Sequence, residues 1–285
     1  MIRRVVVVGG GTMGHGIAQV SAMAGHDTTL VDTDDALVEA ALARVAANLD
    51  EGVKRGKVDE ATRSGTLARL TGATDAAAAA ADADLLVEAV PERFDLKAGL
   101  LARLAEAAPG RAVLGTNTSS LSITDLQDAT PAPERVVGLH FFNPVHIMAL
   151  VEVVRGARTA ETTVEAGVAW ARALGKDPIV VNDAPGFASS RLGVALGLEA
   201  MRMLEQGVAD AADIDKAMEL GYRHPMGPLR LTDLVGLDVR LDIARYLHEK
   251  LGTDVFRPPE ILERLVARGH LGRKTGRGFY DWSEG

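Results

Sequence analysis

A histidine and a glutamate twelve residues apart, His140 and Glu152, are the side chains best suited to proton transfer in this sequence. Each lies in a short apolar run rich in β-branched residues, which is typical of a buried strand. An unpaired buried carboxylate is costly, so Glu152 requires a partner, and His140 on an adjacent strand would supply one. A histidine held by a carboxylate can act as a general acid and base. The alternative is a structural histidine with a glutamate at a strand edge.

Polar side chains also follow two other predicted strands, at the end where α/β sheets bind ligands. The segment Asn-Thr-Ser-Ser at residues 117–120, which includes Ser119, follows a strand predicted at 111–116. Glu92 comes shortly after a strand predicted at 84–90. The alternative for both is helix capping, which leaves other members of the hydroxyl cluster free to contact a ligand.

The N-terminal unit has the pattern of a dinucleotide-binding motif. An apolar run at residues 3–8 leads into GGGTMG, which fits GxGxxG, and a helical pattern and a second strand follow. The glycines allow a tight turn, close approach of a pyrophosphate and close helix packing, and the helix N-terminus attracts phosphate. Asp32, at the end of the second strand, would accept hydrogen bonds from ribose hydroxyls and repel a 2′-phosphate, which favours NAD over NADP. The alternative is a glycine-rich turn that binds no nucleotide. The cofactor-binding candidates here are Gly9, Gly11, Thr12, Met13, Gly14 and Asp32.

The composition is that of a globular protein, with 285 residues, 47% hydrophobic and 25% charged. A net charge of −8 argues against a general nucleic-acid-binding role. The absence of cysteine excludes disulfides and thiolate metal sites, and the seven histidines form no metal-binding motif, so no metal is expected. No apolar run reaches the roughly 18 residues of a membrane span. Without a signal-peptide pattern, a cytoplasmic protein that does not enter membranes is expected.

Strand and helix patterns alternate up to residue 181, and helical patterns alone follow a polar Pro- and Gly-containing boundary. The predicted fold class is α/β, with a Rossmann-type NAD-binding domain at residues 1–183 and an all-helical substrate and dimerisation domain at 184–285. The broad apolar faces of the helical part favour burial against a partner subunit. Its helices are predicted at residues 187–206, 211–220, 231–251 and 259–268.

For two further segments the sequence leaves two interpretations open, and for a third it predicts no chemical role. The basic turn at residues 54–57 is either a phosphate-binding lip for an anionic substrate or a solvated surface turn. The Gly- and Arg-rich segment 272–280 is either an ordered turn that contacts substrate or cofactor, or a surface tail. The Ala-rich segment 75–83 is expected to carry no chemistry.

Seven sequence blocks, in order along essentially the whole chain, resemble those of a known family. They are GGGTMGHGIA, EAVPE, NTSSLSI, HFFNPVHIMALVEVV, DAPGF, HPMGPLRLTDLVGLD and GRKTGRGFYDW. Together they resemble the short-chain L-3-hydroxyacyl-CoA dehydrogenases, a group that includes the 3-hydroxybutyryl-CoA dehydrogenases. The resemblance implies a Rossmann domain joined to a helical domain that commonly dimerises. It also implies reversible, NAD-dependent oxidation of an L-3-hydroxyacyl-CoA to the 3-ketoacyl-CoA.

The resemblance implies roles for individual residues. His140 resembles the family's catalytic acid and base, and Glu152 the carboxylate that orients it. Ser119 matches a serine that touches both substrate and cofactor, and Asn143 an asparagine that fixes the reacting groups. The remaining matches are Glu92, Lys97 and Lys274 as cofactor contacts, and Lys54 and Lys57 as contacts to the CoA phosphates.

Four positions depart from the family pattern. The family often has proline and lysine where this chain has His146 and Ala149. It usually has asparagine where this chain has Ser190, and often serine where this chain has Thr116. Ser190 would shorten a polar side chain in the implied substrate pocket, which bears on acyl-chain preference. Short chains such as butyryl are expected.

Two alternatives to this activity stay open. One is an NAD-dependent dehydrogenase of a hydroxy acid without CoA, such as a sugar acid, and the basic turn argues for CoA instead. The other is an NAD-binding protein without catalysis, and the retention of all four implied catalytic residues argues against it. Those residues are His140, Glu152, Ser119 and Asn143.

Overall fold

The computed structural model describes residues 2–283, which divide into two units between Ala184 and Pro185. The boundary expected from the sequence lies one residue earlier. Met1, Glu284 and Gly285, at the outer ends of the two expected domains, lie outside the described residues.

The first unit alternates strands and helices along the chain. Its strands are β1 (Arg4–Val8), β2 (Asp27–Val31), β3 (Leu70–Ala73), β4 (Leu85–Glu88), β5 (Val113–Thr116), β6 (Val136–Phe141), β7 (Leu150–Arg155) and β8 (Asp177–Asn182). Its helices are α1 (Gly14–Met23), α2 (Asp35–Lys54), α3 (Glu60–Ala68), α4 (Ala76–Ala80), α5 (Phe94–Ala107), α6 (Ile123–Asp128) and α7 (Glu161–Ala173). A short 3-10 turn, Pro133–Arg135, precedes β6.

The strands form one sheet in the order β3-β2-β1-β4-β5-β6-β7-β8. Of the pairings between these strands, β6 with β7 is antiparallel and the others are parallel. The strand order reverses between β1 and β4, and the crevice outside the carboxyl ends of such strands is where doubly wound sheets bind ligands. The predicted α/β fold with a Rossmann-type sheet is confirmed.

Helices on the sheet faces explain why the central strands are continuous apolar runs. Val5 to Val8 of β1 and Leu85 to Val87 of β4 are all buried. Ile17 of α1 and Trp170 of α7 belong to the same core as residues from these strands. Strands covered on both faces gain nothing from alternating polar residues, so the period-two pattern of a half-exposed strand is absent there.

The second unit is helical, as predicted, but one predicted helix is wrong. Its helices are α8 (Ser189–Glu205), α9 (Ala211–Gly221), α10 (Pro228–Val235), α11 (Leu237–Leu251) and α12 (Glu260–Ala267), with 3-10 turns at Asp254–Phe256 and Arg273–Thr275. The single helix predicted at 231–251 is broken at Gly236, whose φ of 105° is incompatible with a continuous helix. Proline at the first position of α10 starts that helix earlier than predicted.

The C-terminal segment is fixed in place by a buried carboxylate, so it is an ordered turn and not a surface tail. Asp233 accepts hydrogen bonds from the Phe279 N–H (2.9 Å), the Tyr280 N–H (2.9 Å) and Trp282 Nε1 (2.8 Å). A side chain on Gly272 or Gly278 would collide with Asp233. Within residues 2–283, no helix combines the length and apolar character needed to cross a membrane.

Candidate active site

His140 and Glu152 face each other across the antiparallel strands β6 and β7 as register partners. The His140 Nδ1 atom lies 2.7 Å from Glu152 Oε2. Glu152 is 0% exposed and His140 is 6% exposed. Because an ionised carboxylate can only accept hydrogen bonds, this contact assigns the proton to Nδ1 and leaves Nε2 as the basic nitrogen. The pair is therefore arranged for proton transfer.

Neighbouring residues hold the end of β6 in position. The Phe141 N–H donates to Asn117 Oδ1 at 2.9 Å, which ties β6 to the end of β5. The ring of Phe142 lies 4.5 Å from the His140 ring, centroid to centroid. Phe141 packs edge-on against Trp170 at 5.7 Å. These contacts hold the backbone on both sides of His140 and place an aromatic ring beside the imidazole.

The loop between the two strands is docked on both sides, although Asn143 in it is exposed. Lys176 Nζ donates to the carbonyl oxygens of Val145 (2.5 Å) and Met148 (2.8 Å). Val145 is buried against Gly16 of α1. His146 is exposed, and its pKa is lowered first by the burial that remains and then by electrostatic interaction with Lys176 and His15.

Glu92 gathers the hydroxyl segment at the end of β5. Its Oε1 accepts hydrogen bonds from Thr118 Oγ1 (2.5 Å), the Ser119 N–H (3.0 Å), and the N–H (3.2 Å) and Oγ (3.1 Å) of Ser120. Its Oε2 lies 3.2 Å from Lys97 Nζ. Burial raises the pKa of Glu92, but Lys97 and the hydrogen bonds from residues 118 and 119 outweigh it, so the pKa lies below its usual value. Glu92 is therefore a charged anchor for the segment that carries Ser119.

Lys97 is buried, which the resemblance alone did not indicate. Its side chain is 1% exposed, and its ammonium also contacts Glu88 Oε1 (2.8 Å) and the Val90 carbonyl oxygen (3.1 Å). Direct contact between Lys97 and the cofactor stays a prediction. The observed contacts instead connect Lys97 to the cofactor candidate Glu92.

The glycine-rich loop is shaped for a dinucleotide. A Cβ on Gly14 would lie 1.7 Å from the Gly9 oxygen, and one on Gly9 would lie 2.7 Å from the Ala89 oxygen, so the fold itself requires both glycines. A Cβ on Gly11 would meet no atom within 4 Å, so this glycine leaves open space where a pyrophosphate would approach. No side chain caps the start of α1, whose N–H groups can therefore bind phosphate.

Asp32 links this loop to a cavity. Its Oδ2 accepts the Gly10 N–H and its Oδ1 the Thr33 N–H, both at 2.7 Å, and each oxygen keeps a lone pair for a ribose hydroxyl. A cavity of about 430 Å³ opens beside it, which fits an adenosine moiety. Its far wall is formed by residues 74–77 with Leu96, Leu100 and Arg103.

The residues on the far wall of this cavity were not predicted. The Ala-rich segment, which is expected to carry no chemistry, contributes Asp75, Ala76 and Ala77 to the lining of the cavity. The expectation about its chemistry stays a prediction. The available signal was their position directly after the end of β3, at the ligand-binding edge of the sheet.

The other implied contacts lie elsewhere in the chain. Lys54 is the last residue of α2, and Lys57 follows in the next turn; both are exposed, while Arg55 between them pairs with Glu51 at 2.6 Å. In the helical unit, Ser190 lies in the first turn of α8, and Lys274 pairs with Asp238 at 2.6 Å. The roles implied for these residues stay predictions. Among residues 2–283, no cluster of three His, Asp or Glu side chains could hold a metal ion.

The chain matches two family models that together cover nearly all of it. Residues 4–184 match the NAD binding domain of 3-hydroxyacyl-CoA dehydrogenase, and residues 186–282 match its C-terminal domain. The two matched regions coincide with the two structural units.

Individual relatives agree with the family models along the whole chain. The probable 3-hydroxybutyryl-CoA dehydrogenase of Bacillus subtilis (strain 168) is 40% identical over 99% of this chain and 98% of its own. The mitochondrial hydroxyacyl-coenzyme A dehydrogenase of Sus scrofa is 43% identical over 99% of this chain and 92% of its own. The crystal structure of (S)-3-hydroxybutyryl-CoA dehydrogenase PaaH1 from Ralstonia eutropha superposes with a TM-score of 0.96, at 42% identity and with 100% of both chains covered.

Proposed function

The chain belongs to the 3-hydroxyacyl-CoA dehydrogenase family, and we propose that it interconverts a short-chain L-3-hydroxyacyl-CoA and the corresponding 3-ketoacyl-CoA with NAD. The proposed substrate pair is 3-hydroxybutyryl-CoA and acetoacetyl-CoA, after the names of its relatives. The observation that carries the mechanism is the buried His140–Glu152 pair, 2.7 Å apart at the sheet edge that also bears the glycine-rich loop.

His140 is the proposed general acid and base. The chemistry that NAD supplies when bound is reversible hydride transfer at C3 of the substrate. During oxidation, His140 Nε2 takes the proton of the C3 hydroxyl, and during reduction it returns that proton to the keto oxygen. Glu152 keeps the ring in the required tautomer and stabilises the imidazolium after proton uptake.

Ser119 and Asn143 are the proposed positioning groups at the reacting centre. The backbone N–H of Ser119 donates to Glu92. The Ser119 hydroxyl makes no hydrogen bond to another described residue. Asn143 is exposed one residue after Phe142, whose ring lies 4.5 Å from the His140 ring at an interplanar angle of 49°. Hydrogen bonds from both side chains would fix the reacting oxygen beside His140 Nε2 and contribute through orientation.

Lys54 and Lys57 are the proposed contacts for the CoA phosphates, since both ammonium groups are exposed and neither has an ion-pair partner among the described residues. Ser190, His146 and Ala149 are the proposed determinants of acyl-chain preference. Glu92, Lys97 and Lys274 stay proposed cofactor contacts.

A homodimer through the helical unit is part of this proposal. Large apolar side chains of α8, α10 and α11 are exposed in the single chain, among them Leu192 at 71% and Val239 at 41%. Several exposed large apolar side chains in one unit favour burial against a second copy. Light scattering of the purified protein would give its mass in solution. The cytoplasmic location expected from the sequence likewise stays a prediction.

The direct test follows NADH absorbance with the purified protein, first with acetoacetyl-CoA and then with free acetoacetate. Oxidation of NADH with the CoA ester, at least tenfold faster than with the free acid, would support the proposed substrate class. Faster turnover of the free acid would favour a hydroxy-acid dehydrogenase without CoA. NADH binding without turnover of either compound, or of other keto acids, would favour the non-catalytic alternative.

A further inference from the structure

We propose that Glu88, which lies at the end of β4, is a positioning residue for the active site. It holds the Ser119 segment from both sides, through Lys97 and Glu92 on one side and through Thr116 on the other. The proposal rests on the proposed function, because it assumes that Ser119 contacts the substrate and cofactor.

Glu88 lies at the centre of the sheet, beside the reversal of strand order. It is the register partner of Val8 in β1 and of Thr116 in β5. Its side chain is 0% exposed. The Glu88 carboxylate accepts hydrogen bonds from the Val90 N–H (2.7 Å), Lys97 Nζ (2.8 Å) and Thr116 Oγ1 (2.6 Å), so both of its oxygens are occupied.

Lys97 joins Glu88 to the surface of the crevice. Its ammonium lies between Glu88 Oε1 at 2.8 Å and Glu92 Oε2 at 3.2 Å. Glu88 and Lys97 are buried, whereas the Glu92 side chain is 37% exposed. The buried pair thus provides a fixed cation at the inner side of Glu92 and limits rotation of that carboxylate into solvent.

Glu92 transmits this restraint to residues 118–120, whose backbone and hydroxyl groups converge on its Oε1. Thr116 transmits a second restraint, because it bonds Glu88 directly and lies three residues before Ser119. Glu88 therefore closes a ring of contacts around the turn that carries the Ser119 hydroxyl.

Fold stability alone gives little reason for this arrangement. Burying an ion pair removes both charges from water, and the mutual attraction often does no more than balance that loss. The preceding residues of β4, Leu85 to Val87, fill the same sheet interior with apolar side chains. What a satisfied buried network does supply is a unique geometry, here at a reacting centre where displacement by about 1 Å lowers turnover strongly.

The first test measures hydrogen exchange in the full protein without ligand. In Glu88→Gln, the Ser119 and Ser120 amides should exchange roughly tenfold faster than in wild type, because Lys97 loses the buried carboxylate that fixes its ammonium beside Glu92. Asp215→Asn is the matched control, because it also replaces a buried carboxylate with an amide, but in the helical unit. The Asp215 carboxylate accepts hydrogen bonds from the Leu229 N–H and the Tyr280 hydroxyl. Unchanged exchange at Ser119 and Ser120 in Glu88→Gln would overturn the proposal.

Variants of Thr116 keep the test open should Glu88→Gln fail to fold. Thr116→Val removes one hydrogen bond to Glu88 and should raise Ser119 exchange about threefold, while Thr116→Ser keeps the hydroxyl and should restore the wild-type rate. Equal exchange in the valine and serine variants would contradict the role given to Glu88.

The second test is a double-mutant cycle in kcat for acetoacetyl-CoA reduction. Glu88→Gln and Glu92→Gln should each lower kcat roughly tenfold, and the double variant should be no more than about threefold slower than the slower single variant. Multiplicative effects would mean that Glu88 does not act through Glu92. A wild type inactive on acyl-CoA would defeat the proposed function, whereas the exchange result would still decide the contacts of Glu88.

Discussion

Gly16 of α1 and Val145 of the β6–β7 loop approach so closely that no side chain fits between them: a Cβ on Gly16 would lie 2.8 Å from Val145 Cβ. Val145 is 2% exposed, so it has little room to move away. This contact fixes the loop between the two catalytic strands directly against the helix that begins at the glycine-rich loop.

Gly16→Ala should therefore lower the free energy of unfolding by about 1–3 kcal/mol, the usual range for overpacking. The measurement is urea denaturation. Gly11→Ala is the matched control, because its added Cβ would meet no atom within 4 Å; it should keep the stability but weaken NADH binding. Adding Val145→Gly to Gly16→Ala should give less destabilisation than the sum of the two single changes. Full additivity would show that the contact is not tight in solution.

His140→Gln should lower kcat by about 10²–10⁴-fold, the contribution typical of positioned acid–base catalysis. The affinity for NADH, followed by fluorescence titration, should change little, because the glycine-rich loop does not depend on the imidazole. Glu152→Gln should also be slow, since an amide can donate to Nδ1 and so permit the wrong tautomer. A wild-type kcat in His140→Gln would show that the His140–Glu152 pair is structural and not catalytic.

The double change Lys54→Ala and Lys57→Ala should raise the Michaelis constant for acetoacetyl-CoA about tenfold and leave kcat near its wild-type value. The expected loss corresponds to one or two charge-assisted hydrogen bonds to phosphate. Arg55→Ala is the control from the same turn, because Arg55 already pairs with Glu51 at 2.6 Å. If the Michaelis constant were unchanged in the double variant but raised in Arg55→Ala, the result would indicate that Arg55, and not the two lysines, binds the phosphates.

Arg240→Met should leave the melting temperature unchanged or raise it by roughly 2–4 °C. Arg240 is 5% exposed, its Nε has no hydrogen-bond partner among the described residues, and burial lowers its pKa to about 10. The control is Arg202→Met, which removes hydrogen bonds to the Asp254, Val255 and Arg257 carbonyl oxygens and should lower the melting temperature. Equal losses in the two variants would indicate that Arg240 is paired in solution.

His26→Asn should become more stable relative to wild type as the pH falls from about 7.5 to 5.5. Burial lowers the pKa of His26, and this effect exceeds the opposing effects of the Ile2 backbone and Asp27. The His26 Nε2 atom has no hydrogen-bond partner among the described residues. The unfolded histidine binds its proton near pH 6.5 and the folded one only at lower pH, so the wild type loses stability across this window. Urea denaturation of both proteins at the two pH values measures the difference, and a constant difference would contradict the burial of His26.

The parts of the site predicted from sequence are those formed by neighbouring segments. The glycine-rich loop follows one strand directly, and its contacts with β1, α1 and Asp32 lie within about thirty residues. The His140–Glu152 contact was predicted because a buried acid requires a partner and the next strand is short and adjacent. Local spacing and the cost of burying a charge were enough in both cases.

The parts not predicted depend on packing between distant segments. The strand β3 is short, partly exposed and contains Gly72, so it has no apolar run, and the cavity wall that follows it went unrecognised. The burial of Lys97 follows from Glu88, whose role becomes visible only when β4, β5 and α5 are assembled. The break at Gly236 depends on backbone conformation, which a helical hydrophobic pattern on both sides conceals.

The antiparallel pairing of β6 and β7 has a consequence for how the protein folds. It makes the catalytic contact one between residues 12 positions apart, closed by a short loop, whereas the contact of Glu88 with Thr116 spans 28 positions. Short loops lose little entropy on closure and form early. The acid–base hairpin can thus form as a local unit before the more distant contact of Glu88 with Thr116 is made.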